Sequence, residues 1–172
     1  MMNDIVYFRD NFFSAGQTEI FDEDQRLLGW LDLKSAFSSS VDILDENEVT
    51  IVKGFFPFFS NKWRVVDREE DELGIVRQRF SFFTKKFEYA TANGNYMIES
   101  EAFSREYKVW DESGQLVVHF EKINGFFTSP AFRLMNNSKE ISTNEWVAVV
   151  MGISAIQSRN QSATSSGGGA AQ

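Results

Sequence analysis

The chain has 172 residues, enough for one domain with a sizeable core, and 15% of them are aromatic, with 18 Phe against 4 Trp and 4 Tyr. One His and no Cys exclude disulfides, thiolate nucleophiles, cysteine metal sites and any site that needs two imidazoles. The net charge of −8, from 17 basic and 25 acidic side chains, argues against a broad basic face, so nucleic acid is not an expected partner.

Met1 to Asp10 alternates apolar and polar residues instead of carrying the cationic start and apolar block of a secretory signal. Within it, Ile5 to Arg9 is the first expected strand. Thr18 to Phe21 alternates next and runs into Asp22, and Asp22 turns out to be the first of a series. Asp22, Asp67 and Asp111 are 45 and then 44 residues apart. Two residues before each lies Ile20, Val65 or Val109, and six after lies Leu28, Leu73 or Val117. Nine after lies Leu31, Val76 or Phe120, and fifteen after lies Phe37, Phe82 or Phe126. That spacing reads as three copies of one unit, each an alternating run, a polar turn opened by Asp, and a second alternating run. Asp suits the turn entrance because its carboxylate accepts backbone N–H groups two residues on.

Flanking strands complete each copy. They are Ile5 to Arg9 and Val41 to Leu44 in the first, Val49 to Lys53 and Phe87 to Ala90 in the second, and Tyr96 to Glu99 and Phe132 to Met135 in the third. Four strands in three copies make about twelve. A mainly β antiparallel sheet of that size removes its open edges by closing into a barrel. Ser142-Thr-Asn-Glu145 then fits a capping box, and the apolar run Trp146 to Ile156 behind it predicts a helix over 143–157. A helix without a polar face needs cover on every side, which the lumen of a wide barrel offers. That run of eleven residues, one Gly and one Ser among them, falls short of the roughly 20 that span a bilayer, so the chain is expected not to be transmembrane. The domain is therefore expected to cover residues 1–157. Ser158 to Gln172, with no large apolar side chain, is expected to be a disordered tail.

The strand pairs of form apolar-x-Asp-turn-Leu-Gly, the Phe-Ser steps Phe13-Ser14, Phe59-Ser60 and Phe103-Ser104, and the terminal run Glu145 to Ile156 resemble the LURP-one-related family. That family belongs with the tubby C-terminal domain and the phospholipid scramblases. The resemblance, over Ile5 to Gln157, implies a twelve-stranded barrel around a central helix. For function it implies links to phosphoinositide binding and lipid movement in the tubby and scramblase branches. A palmitoylated cysteine cluster cannot exist here, and the tubby headgroup residues have no individual counterparts, so no site is carried over.

Local features supply the candidates. His119 alternates with Val118 and Phe120 and reads as an outward strand residue with no catalytic partner. The acidic turns Asp22 to Asp24 and Asp67 to Glu72 lack the ladder of a calcium loop and read as solvated. No catalytic residue, metal or cofactor is expected, and the protein reads as non-enzymatic. The candidates for lipid headgroups are Arg77, Arg79, Lys85 and Lys86, clustered in an acidic chain, with Phe82 and Phe83 as membrane or partner contacts. The competing reading is a solvated barrel face with Phe82 plugging the barrel end, as its counterparts Phe37 and Phe126 suggest. Phe55 to Phe59 reads as a lid over the barrel in preference to an exposed patch. The expectation is a cytoplasmic module, peripheral at a membrane, that meets anionic phospholipid. The alternative is a soluble module that binds protein or a small apolar ligand.

Overall fold

The computed structural model describes residues 4–34, 40–101 and 104–166. The first four strands are β1 (Ile5–Arg9), β2 (Gly16–Phe21), β3 (Leu27–Leu33) and β4 (Ser40–Asp45). The next four are β5 (Thr50–Phe55), β6 (Trp63–Asp67), β7 (Glu72–Arg79) and β8 (Lys85–Thr91). β9 (Gly94–Ser100), β10 (Tyr107–Trp110), β11 (Leu116–Ile123) and β12 (Ala131–Asn136) complete the sheet, and α1 (Thr143–Ser166) follows. Every strand pairs antiparallel with its neighbours in sequence, and β1 pairs with β12 to close the barrel. Among the described residues, closure leaves no strand edge open to a second chain. This is the twelve-stranded mainly β fold that the strand pattern predicts.

An up-and-down barrel has two chemically distinct ends. The connections β2–β3, β4–β5, β6–β7, β8–β9 and β10–β11 lie at one, here the turn end, and the remaining connections lie at the other, the loop end. At the turn end Asp22, Asp67 and Asp111 make the same hairpin. Asp22 Oδ1 accepts the N–H of Asp24 and of Arg26, both at 2.9 Å. Asp67 Oδ1 accepts those of Glu69 and Asp71 at 3.0 and 2.9 Å, and Asp111 Oδ1 those of Ser113 and Gln115 at 2.9 Å. Asp45 does the same in the β4–β5 hairpin, with Asn47 and Val49 at 2.8 and 3.0 Å. The third residue after each Asp takes a left-handed φ, 61° at Gln25 and Glu48, 67° at Glu70 and 82° at Gly114. A bulge one residue before each Asp completes the device.

α1 runs through the lumen from the turn end to the loop end. Trp146 to Met151 are all buried, and at about 3.6 residues per turn six consecutive buried positions cover every face of the helix. Ser142 Oγ accepts the N–H of Glu145 at 3.1 Å, the cap expected at that helix start. Trp63 of β6 locks the helix in register. Its Nε1 donates to the Ala148 carbonyl at 3.1 Å, and its ring passes between the backbones of Gly54 and Gly152. A Cβ on Gly152 would stand 2.3 Å from Trp63 Cδ1, and one on Gly54 2.5 Å from Trp63 Nε1. Aromatic side chains fill the space around the helix: Trp146 meets Tyr89 and Tyr96, while Phe8, Phe12, Phe120 and Phe132 form a second cluster.

Several boundaries and side chains differ from expectation. The helix continues to Ser166 instead of ending at Gln157. Residues 158–165 are exposed there, and Ser158 and Thr164 hydroxyls bond to carbonyls four residues back. The rest of the expected tail, 167–172, lies outside the described residues, as do Phe37 and Phe103. Phe126 does not plug the lumen: it stacks on Tyr7 at 3.7 Å between ring centroids, on the outer face, because the β11–β12 loop folds back along β1 and β2. Phe13, half-buried, packs edge-on against Phe120 and Phe132.

Candidate functional site

The loop end carries the most exposed large apolar side chains among the described residues. The β5–β6 loop holds Phe58 and Phe59, the β7–β8 loop holds Phe80, Phe82 and Phe83, and their exposure runs from 83% for Phe82 to 95% for Phe59. The two loops are neighbours because β6 and β7 pair, with Trp63 opposite Val76. Within each loop the rings touch one another, Phe58 with Phe59 at 4.1 Å and Phe80 with Phe82 at 4.9 Å. The lid expected at Phe55 to Phe59 is therefore reduced to Phe56, which packs edge-on against Trp63 at 5.0 Å. The plug expected of Phe82 does not form. Pro57 accounts for the first departure, since it cannot donate to a ladder and turns the loop away from the sheet.

The four expected cations divide between two faces. Arg77, Arg79 and Lys86 lie on the outer face of β7 and β8, whereas Lys85 shares its face of β8 with the core residues Phe87 and Tyr89. Glu88, opposite Arg77 in the ladder and almost fully buried, holds both guanidinium groups. Arg77 bonds to its Oε1 and Arg79 approaches its Oε2 at 3.3 Å. Lys86 pairs with Glu99 at 3.2 Å. One carboxylate serving two arginines leaves surplus positive charge at this corner.

A cleft of about 310 Å³ opens between the β5–β6 loop, the end of β7 and α1. Lys62, Arg77 and Arg159 line it, together with Gln78, Ile156 and Asn160. Arg159 is held in place by a hydrogen bond to the Ser60 carbonyl at 3.0 Å and by stacking 3.4 Å from the centroid of Phe56. Asn160 donates to Gln78 Oε1, which ties helix to strand. Of these residues the sequence reading singled out only Arg77. Arg159 and Asn160 stood in a segment read as tail, and the only signal there was a lone Arg within reach of a helical continuation.

Charge is segregated along the barrel axis. The turns 22–26, 45–48 and 67–72 hold eleven carboxylates against two Arg, more than the net charge of the whole chain. A larger cleft at the turn end, about 450 Å³, is lined by Asp111, Glu112 and Glu140, and Glu112 Oε1 accepts from the backbone N–H of Asn95 at 3.0 Å. In the acidic turns the aspartates are occupied by the backbone bonds given above, and among the described residues no group of three or more His, Asp or Glu is arranged around a metal position. His119 faces outward as expected, its Nε2 2.7 Å from Glu106 Oε1 and its Nδ1 3.8 Å from Glu121. The bond to His119 holds the Glu106 carboxyl below its ordinary range. Among the described residues no helix is long and apolar enough to cross a membrane.

The family model for LURP-one-related proteins matches residues 6–151 of the chain. No curated protein matches it. A solved X-ray structure of a protein from Arabidopsis thaliana superposes with a TM-score of 0.57 at 14% identity, covering 92% of this chain and 94% of that one. At that identity the likeness concerns the fold.

Proposed function

This chain belongs to the LURP-one-related family, and on that premise we propose that it is a non-catalytic, cytoplasmic barrel that docks its loop end on an anionic membrane surface. The observation that carries the reading is the set of five exposed Phe side chains on two adjacent loops. Moving a Phe fully out of water contributes about 1.5–3 kcal/mol, so even partial insertion of five rings gives a substantial membrane affinity. Arg79 and Lys86 flank the rings, and each basic residue near an anionic surface adds about 1 kcal/mol. The acidic turns lie at the opposite end of the barrel from the Phe loops, so in this orientation they face away from the lipid.

The test is sedimentation with phosphatidylglycerol-containing vesicles at low salt. Binding is expected, weakening as salt rises and weakening about tenfold or more in the Phe82→Ser, Phe83→Ser double variant. Changing Arg77, Arg79, Lys85 and Lys86 together to Glu is expected to abolish it. Absence of binding at low salt refutes the proposal. A protein partner whose binding survives the charge reversal supports the soluble interaction module in its place.

A further inference from the structure

We infer that the outer end of α1 is a polar stand-off that restrains docking and unwinds when the Phe loops reach lipid, a regulation that rests on the membrane reading above. Residues 158–166 leave the lumen at the loop end, the same end as the exposed rings, and 158–165 are exposed. Two contacts fasten this segment to the stems of the two Phe loops. Arg159 donates to the carbonyl of Ser60, next in sequence to Phe59, at 3.0 Å and stacks on Phe56, while Asn160 donates to Oε1 of Gln78, two residues before Phe80. From Asn160 the helix runs six more residues to Ser166, about 9 Å of rise. Phe82 lies four residues beyond Gln78, which even a straight strand carries out by only about 13 Å, and strand tilt and the bend of the loop shorten that. The helix end therefore stands near the height of the rings.

Its composition does not suit a seat on anionic lipid. The segment Ser158-Arg-Asn-Gln-Ser-Ala-Thr-Ser-Ser166 has no large apolar side chain, so nothing in it gains by entering the acyl boundary with the rings. A helix C-terminus also carries about half a negative charge and a set of unpaired carbonyls, and no basic residue in the last turn offsets it. Turned toward an anionic surface, that end is repelled. The same composition makes the segment easy to unwind. Ser, Thr and Asn are poor helix formers, and the hydroxyls of Ser158, Ser162 and Thr164 bond to carbonyls four residues back, which further weakens the turns. Unwinding draws on docking affinity, because the competent state is then only a fraction of the free protein.

The experiment compares the full chain with Gln161→Pro on phosphatidylglycerol-containing vesicles at low salt. Proline at this exposed position breaks the helix, drives residue 160 out of the helical region and leaves the charge unchanged. Docking is expected to tighten about tenfold. A triple variant, Ser162→Ala, Thr164→Ala and Ser165→Ala, strengthens the helix and is expected to weaken docking several-fold. In the parent chain, amide hydrogen exchange across residues 161–166 should accelerate when vesicles are added. Unfolding curves matching the parent confirm that the lumen is intact, and the alanine variant carries the test where the proline variant does not fold.

Equal affinity of the parent and both variants, or weaker docking of Gln161→Pro, overturns the stand-off while leaving docking in place. Amides 161–166 that keep their protection in the docked chain overturn it too. Binding by none of the three chains at low salt overturns docking itself and the stand-off with it.

Discussion

Glu145 is a carboxylate placed where burial and helix geometry disagree. Its position in the first turn of α1 favours negative charge, and the Tyr89 hydroxyl donates to its Oε1 at 2.6 Å. Desolvation inside the barrel is the larger effect and pushes the Glu145 carboxyl above its ordinary range, with the Tyr89 bond acting the other way. The same burial pushes the Tyr89 hydroxyl up, and that of Tyr107 up to about 12, so both phenols are neutral donors. A carboxyl raised in the folded state contributes stability that is complete below the unfolded value, about 4.3, and is lost as pH rises through the folded value. Glu145→Gln keeps the acceptor and removes the titration. Its stability relative to the parent chain should therefore rise from pH 4 toward neutrality and then level off, as read by urea unfolding across that range. Parallel curves at all pH values would contradict the assignment.

The hairpin built on Asp67 shows how one side chain sets an element. Its Oδ1 takes two backbone N–H groups that the ladder leaves without partners, and the left-handed Glu70 reverses the chain. Asp67→Ala should cost about 1–2 kcal/mol in urea unfolding, the size of a lost cap with two donors stranded, while Asp67→Asn should retain most of the stability. Equal losses in the two variants would show that charge, not the acceptor oxygen, matters. The spacing of Asp22, Asp67 and Asp111 was legible because this turn tolerates few alternatives. Asp45 makes the same turn 23 residues after Asp22 and 22 before Asp67, at half the interval of the three-fold spacing. The shortest element that recurs is a two-strand hairpin.

At the scale of the whole molecule, the barrel and helix are each other's core. Trp63 bridges them by filling the space that two glycines leave, one on β5 and one on α1. Gly152→Ala drives a methyl group into that indole and should cost about 1–3 kcal/mol or more, visible as a lower midpoint in thermal unfolding. An unchanged midpoint would mean that the helix can slide in the lumen. The antiparallel order also sorts chemistry along the axis. Alternate connections must lie at opposite ends, so acidic turns gather at one end and the Phe loops with their cations at the other.

Strand number, closure and the buried helix were all present in the chain itself. Alternation, the turn aspartates and the apolar run Trp146 to Ile156 are local patterns, and each admits essentially one way to bury its apolar face. Which Phe residues would be buried was not a local matter. Phe82, Phe59 and Phe126 are equally apolar neighbours of strand ends, yet the first two stand in solvent while the third lies against Tyr7. Their fates depend on where each loop folds after leaving the sheet. Nor could the chain alone bring Lys62, Arg77 and Arg159 to one cleft. They are separated by up to 97 residues, and only the threading of α1 out of the loop end, beside the paired β6 and β7, places them together.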